Sequence, residues 1–119
     1  MNGDNPVNVQ LDITSGMPPP TWQLSEAQRS AFFRMLEQLT PVEPQQAFDN
    51  LGNRGFVATT TNPTRTIRIQ QGFVWITADS YERVFLDNNN DLERLLLTSG
   101  QSVLEPGLYT MLENGIGQN

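Results

Sequence analysis

Residues 64–86 read TRTIRIQQGFVWITADSYERVFL, and this stretch decides the fold of the chain. Gln71-Gly72 and Asp79-Ser80 divide it into three runs rich in β-branched and aromatic residues, and both pairs are typical of turns. Ile67 and Ile69 alternate with polar neighbours, which indicates a strand with one buried face. The stretch therefore predicts an antiparallel meander of three strands whose first hairpin turns at the glycine.

Two further strands are predicted before this meander. Val7, Val9 and Leu11 alternate with polar residues, which is the period-two pattern of a half-buried strand. Residues 55–60, GFVATT, form another short β-rich run. The chain is therefore expected to form a sheet of four or five strands.

Helical spacing of apolar residues predicts the second layer. Ser25 and Gln28 form a capping box before an apolar face that runs from Ala27 to Leu39. Pro44 is placed to begin a shorter helix, and Asn90 with Glu93 predicts a capping box for a third. Residues 108–112 fit either a short helix or an edge strand.

These elements predict a single α+β domain over residues 1–119, with residues 1–5 and 114–119 frayed. An antiparallel sheet of four or five strands carries two or three helices, packed mainly on one face. The 119 residues match a common domain size and suffice for a hydrophobic core.

The composition removes several kinds of chemistry. Cysteine, histidine and lysine are all absent, so all seven basic residues are arginines. Thiol catalysis, a histidine base, Schiff-base chemistry and cysteine or histidine metal sites are therefore excluded. We expect a non-catalytic protein without a cofactor.

The charge of the chain bears on its partners. Thirteen carboxylates against seven arginines give a net charge of −6. Nucleic-acid binding and attraction to anionic membranes both depend on positive charge, so neither is expected. The first residues lack the pattern of a signal peptide, and no apolar run reaches the roughly 20 residues of a membrane span. The expectation is a soluble cytoplasmic protein.

Two motifs with known chemistry fit this sequence poorly. Asp87, Asn89 and Asp91 occupy the first three ligand positions of a calcium loop, but Leu92 and Thr98 stand where glycine and glutamate are required. Turn and capping chemistry explains this cluster better, and no metal site is predicted. A catalytic carboxylate pair has no distinctive spacing; its candidates are Asp79, Glu82, Glu93 and Glu105.

Three aromatic residues are candidates for an interaction surface. Phe33 points away from the centre of the apolar helix face, among polar neighbours, and so meets another element or a partner. Trp75 lies in a run that is apolar on both faces of the predicted strand, so the face away from the helices must be covered by another element or by a partner. Tyr81 is a candidate for the same reason. Core packing is the alternative for Trp75.

Residues 51–56 read LGNRGF and join the predicted short helix to the next strand. Gly52 fits the C-cap of the helix and Gly55 releases the chain into the strand. A phosphate-binding loop has the opposite order, with its glycines between a strand and a helix. A turn of the chain is therefore favoured over a phosphate site here. Arg54 is not explained by a turn.

The element LGNRGF, followed by a hairpin and YERVF…DLERLLLTSG, resembles small uncharacterised bacterial domains with an LG-x-RGF element. The similarity covers residues 51–100. It implies a bacterial source and the loop–hairpin–helix order already predicted, and it implies no activity.

The leading hypothesis for function is a protein–protein interaction or adaptor domain, with a second copy of the chain among the candidate partners. The alternative is a domain that binds a small anionic ligand, with Trp75 and Tyr81 in an aromatic pocket and Arg54 or Arg68 on a carboxylate or phosphate. A carboxylate-dependent hydrolase is the third hypothesis.

Overall fold

The computed structural model describes residues 6–11, 19–43, 55–61, 64–70, 72–78 and 81–115. Within these residues it is an α+β structure with three α-helices and one antiparallel sheet. The strands are β1 (Val7–Leu11), β2 (Thr21–Gln23), β3 (Thr40–Val42), β4 (Phe56–Thr60), β5 (Arg65–Gln70), β6 (Phe73–Ala78) and β7 (Tyr81–Leu86). The helices are α1 (Glu26–Glu37), α2 (Asp91–Ser99) and α3 (Pro106–Gly115), with a 3₁₀ turn (Asn88–Asn90) before α2.

The sheet has seven strands in the order β2-β1-β4-β5-β6-β7-β3, and every neighbouring pair is antiparallel. The meander from β4 to β7 and the hairpin at Gly72 confirm the predicted centre of the sheet. The predicted number of four or five strands is wrong, because β2 and β3 add one strand at each edge.

Both additional strands are too short for a pattern to show in the sequence. Each has three residues, and β3 contains Pro41. A proline is tolerated on an edge strand because one side of that strand needs no hydrogen-bond donor. Short, proline-containing edges also discourage pairing with another sheet.

The main core lies between one face of the sheet and the helices. Alternate strand residues enter it, and the helices contribute one buried phenylalanine and four buried leucines. Its largest fully buried side chains are Phe32, Phe56, Leu11, Ile67, Ile69, Leu92 and Leu96. This arrangement fits the prediction of helices packed on one face.

The opposite face of the sheet is polar over much of its width. Cross-strand neighbours on one face form a continuous row of exposed polar residues over six strands. In order across the sheet they are Gln23, Asn8, Thr59, Thr66, Thr77 and Glu82. Trp75 and Val84 are buried on the same face and are not members of the main core.

The two capping predictions have different outcomes. At α1 the capping box is confirmed, since Gln28 N donates to Ser25 Oγ and Ser25 N donates to Gln28 Oε1. At α2 it is wrong, because Asn90 has a left-handed backbone (φ 58°) and caps no amide. Asp87 caps this helix instead, accepting from Leu92 N at 2.9 Å and Glu93 N at 3.1 Å.

The C-terminal part of the chain is helical. Residues 108–112 belong to α3, which settles the choice between helix and edge strand. The same helix includes Asn114, within the stretch predicted to be frayed. The predicted short helix after Pro44 lies outside the described residues.

Gly100 ends α2 and lets Trp22 pack against the helix end. Its φ is −96°, so this C-cap does not need the left-handed conformation that often requires glycine. A Cβ at this position would lie 2.5 Å from Trp22 Cζ2. The indole Nε1 donates to Ser99 Oγ at 2.7 Å, and Ser99 Oγ donates to the Leu96 carbonyl. Close approach of the ring is therefore the reason for glycine here.

We expect Gly100→Ala to lower the free energy of unfolding by about 1–3 kcal/mol, the usual cost of overpacking a core. The indole must move, and its hydrogen bond to Ser99 must lengthen. Urea unfolding followed by tryptophan fluorescence measures the loss. The control is Gly107→Ala in α3, where a Cβ meets nothing within 4 Å and alanine favours the helix. Equal effects of the two substitutions would contradict the packing argument.

Candidate functional site

The helices leave one corner of the sheet's core face open. Tyr81, Arg83 and Phe85 pair across the strands with Ala78, Ile76 and Val74. Directly opposed residues lie on the same face of a sheet, and Val74 is a core residue. The three β7 side chains therefore point to the helix side, yet Tyr81 is 59% exposed and Arg83 is also exposed.

A cavity of about 380 Å³ occupies this corner, between the sheet and the C-terminal half of α1. We call it the corner groove. The sheet contributes Arg65, Ile76, Ala78, Tyr81, Arg83 and Phe85, and α1 contributes Phe33, Leu36 and Glu37. Its volume falls at the small end of the range of ligand sites in proteins.

The corner groove is deepest above Ala78, because the neighbouring side chains of Arg65 and Tyr81 are much longer than its methyl group. Thr66 pairs with Thr77, so Arg65 and Ala78 are neighbours in the next position of the ladder. On its other side Ala78 pairs with Tyr81. Strands are about 4.8 Å apart, which separates the backbones of Arg65 and Tyr81 by about 10 Å with only a methyl group between them.

The arginines of the groove have no anionic partner within the part of the chain that the structure describes. Arg65 Nε is buried and has no hydrogen-bond acceptor there. Neither Arg65 nor Arg83 forms an ion pair with a described residue, and Glu37 pairs with neither of them. A buried donor without an acceptor costs about 1–3 kcal/mol, which an oxygen from a bound molecule would recover.

The structure brings together two of the three aromatic residues predicted for an interaction surface. Phe33 and Tyr81 both line the corner groove, and the Phe33 ring also contacts Phe32 edge-to-face at 5.6 Å. Trp75 lies on the opposite face of the sheet, 2% exposed, with its ring 6.0 Å from that of Phe73.

Arg68, one of the two arginines predicted as ligand contacts, does not reach the groove. Arg68 pairs with Trp75 across β5 and β6, so it belongs to the opposite face of the sheet. Arg54 lies outside the described residues. The groove instead holds Arg65 and Arg83, which sequence analysis did not select.

One of the missed arginines carried a signal in the sequence. Arg65 is in phase with Ile67 and Ile69, which places it on the buried face of β5, whereas Arg68 is out of phase. A charged residue in phase with a buried apolar row needs a partner or an opening. β7 gave no such signal for Arg83, because neither of its alternating sets is apolar throughout.

A second ionisable cluster lies at the start of α2. Asp87 is buried, and burial raises its pKa although the Leu92 and Glu93 amides oppose the shift. Burial and then the charge of Asp87 raise the pKa of Glu93 to about 7, against the opposing charge of Arg94. Glu93 Oε1 is buried without a hydrogen-bond partner among the described residues.

This acidic cluster does not have the geometry of a hydrolase site. Asp87 is 4% exposed and both of its oxygens accept backbone amides, so its carboxylate caps the helix and does not face an open substrate site. The cavity next to Asp87 has a volume of about 50 Å³, far below the size of ligand sites. No cluster of three or more acidic residues within the described ranges could hold a metal ion.

Two of the other predicted catalytic carboxylates, Glu82 and Glu105, are exposed at the surface. Glu82 is exposed on the far face of the sheet, where its Oε2 accepts from Thr77 Oγ1 at 3.2 Å. Glu105 is exposed after α2, and Asp79 lies outside the described residues.

Comparison with protein-family models, with curated proteins and with solved structures finds no match. The helices described here are all too short or too polar to cross a membrane. The chemistry of the corner groove is therefore the basis for inferring what the protein does.

Proposed function

We propose that this protein is a non-catalytic binding domain that acts through the corner groove. An apolar group of the bound molecule packs on the aromatic and aliphatic wall, and its anionic group accepts hydrogen bonds from Arg65 and Arg83. The observation that carries the proposal is that Arg65 lines a largely apolar groove, although its buried Nε has no hydrogen-bond acceptor among the described residues. Charge-assisted hydrogen bonds to arginine are among the strongest available to a protein.

The ionisable groups of the groove favour binding over catalysis. Arginine stays protonated in proteins and serves as a donor, not as a base. Glu37 is exposed, and the sequence has no histidine, cysteine or lysine to act beside it. Such a site is suited to hold an anion without transforming it.

A protein is the partner that the shape of the groove favours. Tyr81 stands exposed at its rim, and tyrosine and arginine are frequent among the residues that dominate protein interfaces. The short sheet edges discourage association through strands, so contact is expected through groove side chains. If a second copy is the partner, sedimentation velocity detects a dimer that Tyr81→Ser dissociates.

The alternative is a small organic anion, which the volume of the groove favours. It would use the same contacts, with Arg65 and Arg83 taking the role first assigned to Arg54 and Arg68. Both hypotheses therefore share one test of the groove itself.

We expect 3-phenylpropionate, a ring joined to a carboxylate, to bind in the corner groove. Titration of ¹⁵N-labelled protein followed by NMR should shift amides of residues 33–37, 65, 76–78 and 81–85. Arg65→Met and Arg83→Met should each weaken binding about tenfold or more, because each removes a charge-assisted hydrogen bond. Arg34→Met, an exposed arginine on α1 outside the groove, is the matched control and should leave binding unchanged.

The proposal is contradicted if phenylpropionate leaves these amides unshifted. It is equally contradicted if Arg65→Met and Arg34→Met bind the probe alike. Dispersion of the NMR spectrum shows whether each variant is folded before its affinity is compared.

A further inference from the structure

We propose that the corner groove recognises the carboxy-terminal residue of a partner polypeptide, with an apolar side chain and a free carboxylate. This inference rests on the proposed function and names the occupant of the same site. It follows from the kinds of groups that line the groove, their charges and the space between them.

The lining offers three kinds of contact. Phe33, Leu36 and Ile76 are apolar, Arg65 and Arg83 donate to anions, and Glu37 accepts hydrogen bonds. A carboxy-terminal residue carries the three complementary groups on one Cα: a side chain, a carboxylate and an N–H. An organic acid without an N–H would leave Glu37 without a role.

The charges of the groove match a single carboxylate. Two arginines and one glutamate give its lining a net charge of +1, and these groups do not pair with one another. A carboxylate has two oxygens that accept donors from both guanidinium groups. One carboxylate therefore neutralises the lining, whereas a doubly charged phosphate would leave one excess negative charge beside Glu37.

The space in the groove favours the end of a chain over an internal segment. About 10 Å separates the backbones of Arg65 and Tyr81 across Ala78, which is room for one residue. In an extended internal segment, adjacent side chains point to opposite faces, so an acidic residue and its apolar neighbour cannot both enter. At a carboxy terminus the carboxylate and the side chain enter together.

The test uses the whole protein and the peptide acetyl-Gly-Ser-Leu in two forms, with a free carboxylate and with a carboxamide. Affinities are measured by the NMR titration used for phenylpropionate. The free acid should bind at least about tenfold more tightly than the amide, because the amide lacks the charge that faces the two arginines. The peptide acetyl-Gly-Asp-Leu-Gly-amide, with an internal carboxylate, should bind more weakly than the free-acid peptide.

Glu37→Gln isolates the contact to the N–H. It should lower the affinity for the free-acid peptide severalfold relative to the affinity for phenylpropionate, which has no N–H. Glu113→Gln, at an exposed position on α3, is the matched control and should change neither.

Each outcome separates this inference from the function on which it rests. If phenylpropionate binds while the acid and amide peptides bind equally, the inference is overturned and the binding groove stands. Binding of the internal aspartate peptide as tight as that of the free acid also overturns it. If phenylpropionate fails to bind as well, the proposed function falls together with the inference.

Discussion

Gly55→Ala is expected to lower the free energy of unfolding by about 3 kcal/mol or more, a large fraction of the stability of a small domain. Gly55 has a φ of +88°, a conformation that costs an L-residue about 1–2 kcal/mol. A Cβ here would also collide with the carbonyl oxygen of Ile69 and lie 2.9 Å from Gln70 Cβ. Because these atoms belong to the neighbouring strand β5, the ladder itself must shift.

Gly72→Ala separates strain of the backbone from collision. Gly72 has almost the same φ, +87°, but a Cβ there meets only Asn90 Oδ1 at 3.4 Å. We expect this substitution to cost about 1 kcal/mol, the strain alone. Urea unfolding of both variants measures the difference, and equal losses would show that the collision at Gly55 is relieved at no cost.

The positions of these glycines were predictable from the sequence. Gly72 lies in the predicted hairpin between β5 and β6, and Gly55 directly precedes β4. The capping box at Ser25 was predictable because its two hydrogen bonds join residues three positions apart. The collision that a Cβ at Gly55 would cause was not, since Ile69 and Gln70 stand 14 and 15 positions away.

Other features depend on partners distant in the sequence. β2 and β3 are strands only because β1 and β7 present free edges to them. Three residues are too few for an alternating pattern to emerge. Gly100 was predicted at the end of α2 as a C-cap, but its contact partner Trp22 stands 78 positions away.

The corner groove belongs to this second class. Phe33 and Tyr81 were selected because each breaks a pattern within its own element, and both line the groove. Trp75 broke a pattern as well, yet it faces the other side of the sheet. Which of these residues meet is decided by where the helices stop covering the sheet, and that boundary is set by packing between elements.

The face of β5 on which Arg65 lies was predictable from the sequence. Arg65 is in register with Ile67 and Ile69, so the pattern alone places a charge at the end of a buried row. Only the tertiary structure shows that the end of this row lies at the uncovered corner of the sheet. The alternating pattern of β5 therefore predicts that Arg65 is unusual, but not that it lines a groove.

Glu93→Gln is expected to raise the free energy of unfolding at pH 8 by about 2 kcal/mol, with little effect near pH 4.5. The pKa of Glu93 rises from 4.5 in the unfolded chain to about 7 in the folded one, first because of burial and then because of the charge of Asp87. The folded state therefore binds the proton more tightly. Stability from this group is present below pH 4.5 and is lost as the pH rises to 7.

The size of this effect follows from the shift and from the exposure of the side chain. One pKa unit corresponds to about 1.4 kcal/mol. Because Glu93 is partly exposed to solvent, the expected change in the free energy of unfolding is smaller than the pKa shift multiplied by this value. Glutamine keeps the shape of the side chain but carries no charge, so the loss above pH 4.5 disappears. Asp87 still caps α2 in the variant, so the comparison between the two proteins isolates Glu93.

Urea unfolding at several pH values between 5 and 8 measures the difference between Glu93→Gln and the native chain. We expect this difference to grow across the interval and to level off above pH 7. The matched control is Glu113→Gln, since Glu113 is exposed on α3, and its difference from the native chain should stay constant with pH. A constant offset for Glu93→Gln as well would mean that Glu93 keeps an ordinary pKa in the folded chain. The charge of Arg94, which lowers the pKa of Glu93, would then offset both burial and the charge of Asp87.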